Sequence, residues 1–143
     1  MTDMRQRYLY RGKSKDGWVM GFYCETQGFN DTTLHLIHSI LLGCEDYEID
    51  LATLGQCTGY SDKNGRLIYE GDVVQWAIDG DPEAKDIFEI EWKRGAWSLA
   101  HLPKKAGCNI DRWLWPSTYN GNLESLKIIG NVHDNPELLE VTA

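Results

Sequence analysis

Asp62, Glu70 and Asp72 fall close together in the middle of the chain. Neighbouring carboxylates can share a proton in acid–base catalysis or hold a divalent cation. Their immediate context favours another use. Asp62 opens Asp62-Lys63-Asn64-Gly65, where Asn tolerates and Gly readily adopts a left-handed backbone, so the stretch closes a hairpin. Glu70-Gly71-Asp72 stands before Val73-Val74 and reads as a polar corner between two strands. Turn chemistry therefore outweighs catalysis at all three carboxylates.

The other reactive side chains are judged in the same way. Asp79, Asp81 and Glu83 alternate like calcium ligands, but the remaining loop ligands are missing and Pro82 stiffens the segment, so a solvated hairpin tip is the better reading. His35 and His38 would share a face if their segment were helical. With Cys44, and with His101 or Cys108 arriving from elsewhere, they could bind zinc. Nothing in the spacing supplies the further ligands. Pairing Cys57 or Cys24 with a histidine as a nucleophilic site has no motif behind it. The glycines of residues 55–65 lack the Lys-Ser/Thr and the helix of a phosphate loop. We assign no catalytic residue, metal ligand or cofactor.

Candidate contact residues remain. Trp113 and Trp115 beside Arg112 could stack on a base, a sugar or a protein partner. Alternation also puts both tryptophans on one strand face, where a core role weighs more. Tyr60, beside the Asp62 turn, and Tyr119, in the loop rich in Ser, Asn and Gly, complete the set.

The elements that would position these residues are short and β-like. Residues 8–11 and 18–23 form a first hairpin around a turn at 12–17. Trp18, Met20 and Phe22 share one face, and Val19, Gly21 and Tyr23 the other. Residues 25–33 read as a loop. Residues 34–42 fit a helix or a strand, and the β pattern around them favours the strand. A turn at 43–46, a strand at 47–50 and a single turn at 51–54 lead into residues 55–74, which read as strand, turn, strand, turn and strand. Alternation in 72–78 puts Val73, Gln75 and Ala77 opposite Val74, Trp76 and Ile78. Residues 86–92 and 96–102 form a hairpin closed by Lys93-Arg94-Gly95, with Phe88, Ile90 and Trp92 inward. The final strand covers 126–133. A short helical turn follows, with Asn135 as cap and Pro136 at its first position. Many short strands with frequent turns predict an all-β barrel.

The chain has 143 residues, 42% hydrophobic and 25% charged, which suits one domain over residues 1–143. Its formal charge of -8 opposes non-specific binding to nucleic acid, which needs cations to displace counterions. Arg5, Arg7, Arg11, Lys13 and Lys15 gather near the start, where a solvated strand edge is the plainer reading than a functional patch. The first residues lack the apolar run of a secretory leader, and no run is long enough to span a bilayer. Four cysteines without a C-x-x-C pair fit reduced, mostly buried thiols.

Three blocks carry a family resemblance. They are Arg11-Gly12-Lys13 with 18–23, the stretch 55–65 with 68–74, and Ile129-Gly130-Asn131-Val132-His133-Asp134-Asn135-Pro136-Glu137-Leu138-Leu139. Together they resemble the YopX family, found mainly in bacteriophages and prophages. Cys57, Tyr60 and Ser61 depart mildly from its pattern, and residues 28–44 have no place in it. The resemblance implies an SH3-like small barrel with additional strands and long loops. It implies a phage or prophage origin and a place in the bacterial cytoplasm. It carries no established activity and no catalytic residues. The expected function is a non-enzymatic binding module for a host or phage protein. A homo-oligomeric assembly protein and a nucleic-acid-associated accessory protein are the alternatives. The surfaces left for function are residues 28–44 and 113–119.

Overall fold

Alternation along residues 18–23 builds the first sheet as expected. Val19 and Gly21 are buried, while Met20 and Phe22 face solvent. In the computed structural model, residues 8–39, 45–76, 86–103, 111–113, 118–119, 122–123 and 125–140 are described. They fall into two compact units, one ending at Cys57 and the other starting at Thr58.

The N-terminal unit contains β1 (Tyr10–Ser14), β2 (Gly17–Gln27), β3 (Thr33–His38), β4 (Asp46–Glu48) and the start of β5 (Asp50–Ser61). The strands pair antiparallel in the order β5-β1-β2-β3-β4. Val19, Ile37 and Ile49 form its core, with Tyr10, Tyr23, Tyr47 and Leu54 packed around them. The turn expected at 12–17 is tighter than predicted. Ser14 Oγ donates to the Gly17 carbonyl at 3.0 Å and accepts from Asp16 N–H at 3.2 Å, so only residues 15 and 16 lie outside the strands. The loop expected at 25–33 is shorter, confined to residues 28–32. β2 runs on to Gln27, and Gln27 lies opposite Thr33. This extension is exposed on both faces and has no alternation to mark it. The turn expected at 51–54 is part of β5. Asp50 Oδ1 accepts from Ala52 N–H at 3.1 Å, and Thr53 Oγ1 donates to the Asp50 carbonyl at 2.6 Å. The register beside β1 slips there, as in a β-bulge.

The C-terminal unit adds β6 (Leu67–Tyr69), β7 (Asp72–Trp76), β8 (Ile87–Lys93), β9 (Ala96–His101), β10 (Asp111–Trp113), β11 (Thr118–Tyr119), β12 (Asn122–Leu123) and β13 (Leu126–Asn131). Five of these form an antiparallel sheet in the order β10-β9-β8-β7-β13. β6 pairs with the end of β5, as does β12, which also pairs with β11. Ile68, Val74, Phe88, Ile90, Leu99, Leu126 and Ile128 make the main core, each full burial contributing roughly 1.5–3 kcal/mol. The β8–β9 hairpin closes as predicted on Arg94-Gly95, with φ of 51° and 78°. Such paired left-handed residues match the twist of a two-residue hairpin.

Two details of this unit differ from the alternation rule. Trp92, expected inside, is 52% exposed and packs edge-on against Trp97 with centroids 4.9 Å apart. Ile87, expected outside, is buried with Val73 and Leu102 in a second cluster. Both faces of this sheet are covered near that cluster, so alternation no longer separates inside from outside.

The chain is all-β, in antiparallel sheets, but no closed barrel forms among the described residues. Closure needs a ladder between the two end strands, and the C-terminal order stops at β10 on one side and β13 on the other. Strands β1 to β4 join β5 in a sheet separate from the β10-β9-β8-β7-β13 order rather than adding staves to it. The C-terminal helical turn is a 3-10 turn, Pro136–Glu140. Asn135 stands before it, its Oδ1 accepting from Asn131 N–H at 3.2 Å and its Nδ2 donating to Glu137 Oε1 at 3.4 Å.

Candidate functional site

The central carboxylates are bound up in backbone contacts. Asp62 is fully buried. Its Oδ1 accepts from Asn64 N–H and Arg66 N–H, both at 2.9 Å, and its Oδ2 accepts from Ile128 N–H at 3.0 Å. Lys63 N–H donates to the Leu126 carbonyl at 2.8 Å beside it. Asp72, also buried, accepts from Tyr69 N–H at 2.8 Å. The Glu70-Gly71 corner is held by Gly71 N–H donating to Ile90 O and by Val132 N–H donating to Gly71 O, each at 2.9 Å. These carboxylates organise turns, as their sequence context implies.

The histidines are separated by strand geometry. Residues three apart on β3 project to opposite faces, so His35 and His38 do not form the shared helical face that a zinc pair needs. His38 Nδ1 meets Asp46 Oδ1 at 2.8 Å, whereas His35 Nδ1 lies 2.6 Å from Tyr23 Oη. Among the described residues, no three His, Cys, Asp or Glu side chains gather as a metal site. Cys57 is buried and Cys24 exposed. Cys44, Cys108 and the acidic residues Asp79, Asp81 and Glu83 lie outside the described residues, as do Arg5 and Arg7.

Four of the five candidate contact residues are described, and they are spread over the C-terminal unit. Tyr60 is half-buried on β5 and packs against the main core. Arg112 and Trp113 sit on β10, opposite Leu99 and Ser98 of β9. Tyr119 is on β11, opposite Asn122. Trp115 lies outside the described residues.

The exposed apolar surface is clearest on the N-terminal unit. Trp18, Met20 and Phe22 follow one another on the outward face of β2, with Met20 41% and Phe22 44% exposed. The Arg11 guanidinium lies 4.8 Å from the Trp18 ring centroid, and Lys13 Nζ lies 5.5 Å from it. These are cation–π distances. The hairpin register sets them, since Arg11 lies opposite Met20 and Lys13 opposite Trp18. Alternation identifies the row from sequence, but only the structure leaves it uncovered. Phe29, at the tip between β2 and β3, is 94% exposed. The sequence analysis marks its segment, residues 28–44, as a surface left for function without naming it, although an aromatic between Gly28 and Asn30-Asp31 was a usable signal.

A polar ladder stiffens the β2–β3 ribbon beneath that tip. Tyr23 Oη donates to Glu25 Oε1 at 2.7 Å. The hydroxyl has one proton, so the 2.6 Å contact with His35 requires imidazole Nδ1 to donate. The two rings also stack, 7° from parallel. Burial, reinforced by the bond and the charge of Glu25, pushes the Tyr23 phenol up to about 12. A raised phenol favours the neutral form in the fold. Its stabilising contribution is full below the ordinary tyrosine value and is lost as pH rises through the folded one. Tyr23→Phe should therefore lose stability relative to wild type near neutrality, with the gap narrowing between pH 10 and 12. Urea titrations of both proteins across that range check this, and a constant gap contradicts it.

A family model described as YopX protein matches residues 9–140. Among solved structures, the chain is similar to protein yopX from Bacillus subtilis, with 18% identity and a TM-score of 0.54 over 94% of this chain and 99% of that one. It is also similar to protein EF1440 from Enterococcus faecalis, with 21% identity and a TM-score of 0.46 over 93% and 97%. The B. subtilis likeness is one of fold. No curated protein matches the chain in sequence.

Proposed function

The chain belongs to the YopX protein family, and from that premise we propose that it is a non-enzymatic module that binds a host or phage protein. The observation that carries this reading is the outward row of Trp18, Met20 and Phe22, flanked by Arg11 and Lys13. Aromatic, Met and Arg side chains are the types enriched at protein interfaces. The local cations suit a partner whose apolar patch has an acidic rim, and the net charge of -8 disfavours a phosphate backbone. We place the protein in the bacterial cytoplasm and its gene in a phage or prophage, as the resemblance implies. Among the described residues no helix is long and apolar enough to cross a membrane. We read the C-terminal unit as SH3-like because its last strand returns beside the first of the meander, as β13-β7-β8-β9-β10.

The test compares wild type with a Trp18→Ser/Phe22→Ser variant, shown to be folded by circular dichroism, as bait in lysate of a bacterium that carries the gene. A protein retained by wild type should be lost from the variant, and its purified form should bind the variant about tenfold or more weakly. Identical retained sets overturn the assignment to this row. Loss only on replacing Tyr60, Arg112, Trp113, Trp115 or Tyr119 would move the site to those residues.

A further inference from the structure

β4 ends its sheet. It pairs with β3 on one side, and no described strand pairs with it on the other. The ladder with β3 shows what the open side offers. Ser39 N–H donates to the Glu45 carbonyl, and Ile49 N–H donates to the His35 carbonyl, both at 2.9 Å. Backbone groups alternate in direction along an antiparallel strand, so Glu45, Tyr47 and Ile49 turn their N–H and C=O toward β3. Asp46 and Glu48, between them, turn theirs away. These two residues present the donor and acceptor pattern of a strand that lacks a neighbour.

A cavity of about 840 Å³ runs along this side, lined by residues 45–50 and by residues 13–16 at the β1–β2 turn. A strand face would contribute alternate residues. Here every residue from 45 to 50 takes part, so β4 meets the cavity by its edge. The lining also has a sign. Asp16, Glu45, Asp46, Glu48 and Asp50 supply five carboxylates against Lys13 and Lys15, and Lys13 Nζ is drawn to within 5.5 Å of the Trp18 ring centroid. Asp46 is matched by His38 at 2.8 Å. Among the described residues, no ion pair engages Asp16, Glu45, Glu48 or Asp50. Short, charged edge strands ordinarily prevent pairing with other chains. Charges of a single sign do so selectively, since they repel an acidic strand and attract a basic one.

We propose that the open edge of β4 accepts an extended segment of a partner protein as an added strand, with Lys or Arg at alternate positions of that segment. The backbone groups of Asp46 and Glu48 bond its main chain and set its register. The unpaired carboxylates of the lining meet its cations and reject strands of the wrong charge. An extended chain rises about 3.4 Å per residue, so residues 45–49 match a segment of about five residues. So short a contact is weak, with a Kd on the order of 100 μM. The Trp18 row suits an acidic rim and this edge suits a basic strand. The two surfaces are therefore distinct, and either assignment can fail alone.

The probe is a capped, fluorescently labelled peptide of about seven residues that alternates lysine and valine, titrated with the full chain. Its anisotropy should rise with protein concentration, and binding should weaken as sodium chloride is added. Hydrogen exchange should slow at the Asp46 and Glu48 amides. Glu45→Gln/Glu48→Gln changes only exposed side chains, so it keeps the fold, and it should weaken binding about fivefold or more. Trp18→Ser/Phe22→Ser should bind the peptide as wild type does. Two further peptides separate strand addition from charge alone. One with glutamate in place of lysine should not bind. One with its main-chain amides N-methylated keeps the charge but loses the donors, and it should not bind either. A lysine peptide that fails to bind, an N-methylated peptide that binds equally well, or protection gained on strands other than β4 each overturns the proposal.

Discussion

Asp62→Ala should lower the unfolding free energy by about 3 kcal/mol, because three N–H groups, one of them buried, lose their acceptor together. The donors are Asn64, Arg66 and Ile128, at 2.9, 2.9 and 3.0 Å. Removing the carboxylate does not remove the donors. Ile128 N–H is left without its acceptor in a buried place, and that asymmetry makes the loss exceed the worth of the bonds. Asp62→Asn is the graded control. Its carbonyl oxygen can still serve Asn64 and Arg66, but its amide presents donors toward Ile128 N–H, for a cost of about 2 kcal/mol. Urea unfolding at neutral pH measures both variants. If the alanine variant loses less than about 1 kcal/mol, the turn is not held through this carboxylate.

Gly21→Ala should cost about 3 kcal/mol and act through the β2–β3 pairing. An added Cβ would land on the His38 carbonyl oxygen, 2.8 Å from the His38 carbonyl carbon and 3.1 Å from Ile37 Cγ2. Backbone cannot turn aside as a flexible side chain can. β3 must therefore move, and the buried Ile37 moves with it. Gly17→Ala separates this clash from backbone preference. Gly17 has a φ of 122°, but a Cβ there meets nothing within 4 Å, so its substitution costs conformation alone, about 1–3 kcal/mol. Hydrogen exchange locates the damage. Amides of β3 should lose protection in Gly21→Ala and keep it in Gly17→Ala. Unchanged β3 protection in Gly21→Ala would show that the close approach is not maintained in solution.

These two residues were unequally legible. Asp62 announces its turn through the neighbours that follow it, because a side chain bonding a backbone two residues on is local chemistry. Its third donor, Ile128, is 66 positions away in sequence, and no local pattern points to it. Gly21 looks like any glycine in an alternating strand. What makes it necessary is the neighbouring strand's carbonyl, which only strand pairing brings there. The same distinction runs through the candidate surfaces. Alternation predicts the Trp18, Met20 and Phe22 row as a face, whereas exposure depends on what else packs against it. Trp92 shows the failure in the other direction, since it is exposed although Phe88 and Ile90 on the same face are buried.

The sequence by itself determined the all-β class, the hairpins around Asn64-Gly65 and Arg94-Gly95, the structural use of Asp62 and Asp72, and the family. Each rests on period-two patterning, turn chemistry or a contiguous motif, all properties of neighbours along the chain. Only the tertiary structure decided that residues up to Cys57 form a unit of their own, that β2 extends to Gln27, that His35 and His38 part to opposite faces, and that Phe29 stands in solvent. Those outcomes depend on which strand lies beside which, and on the burial that pairing creates across long sequence separations.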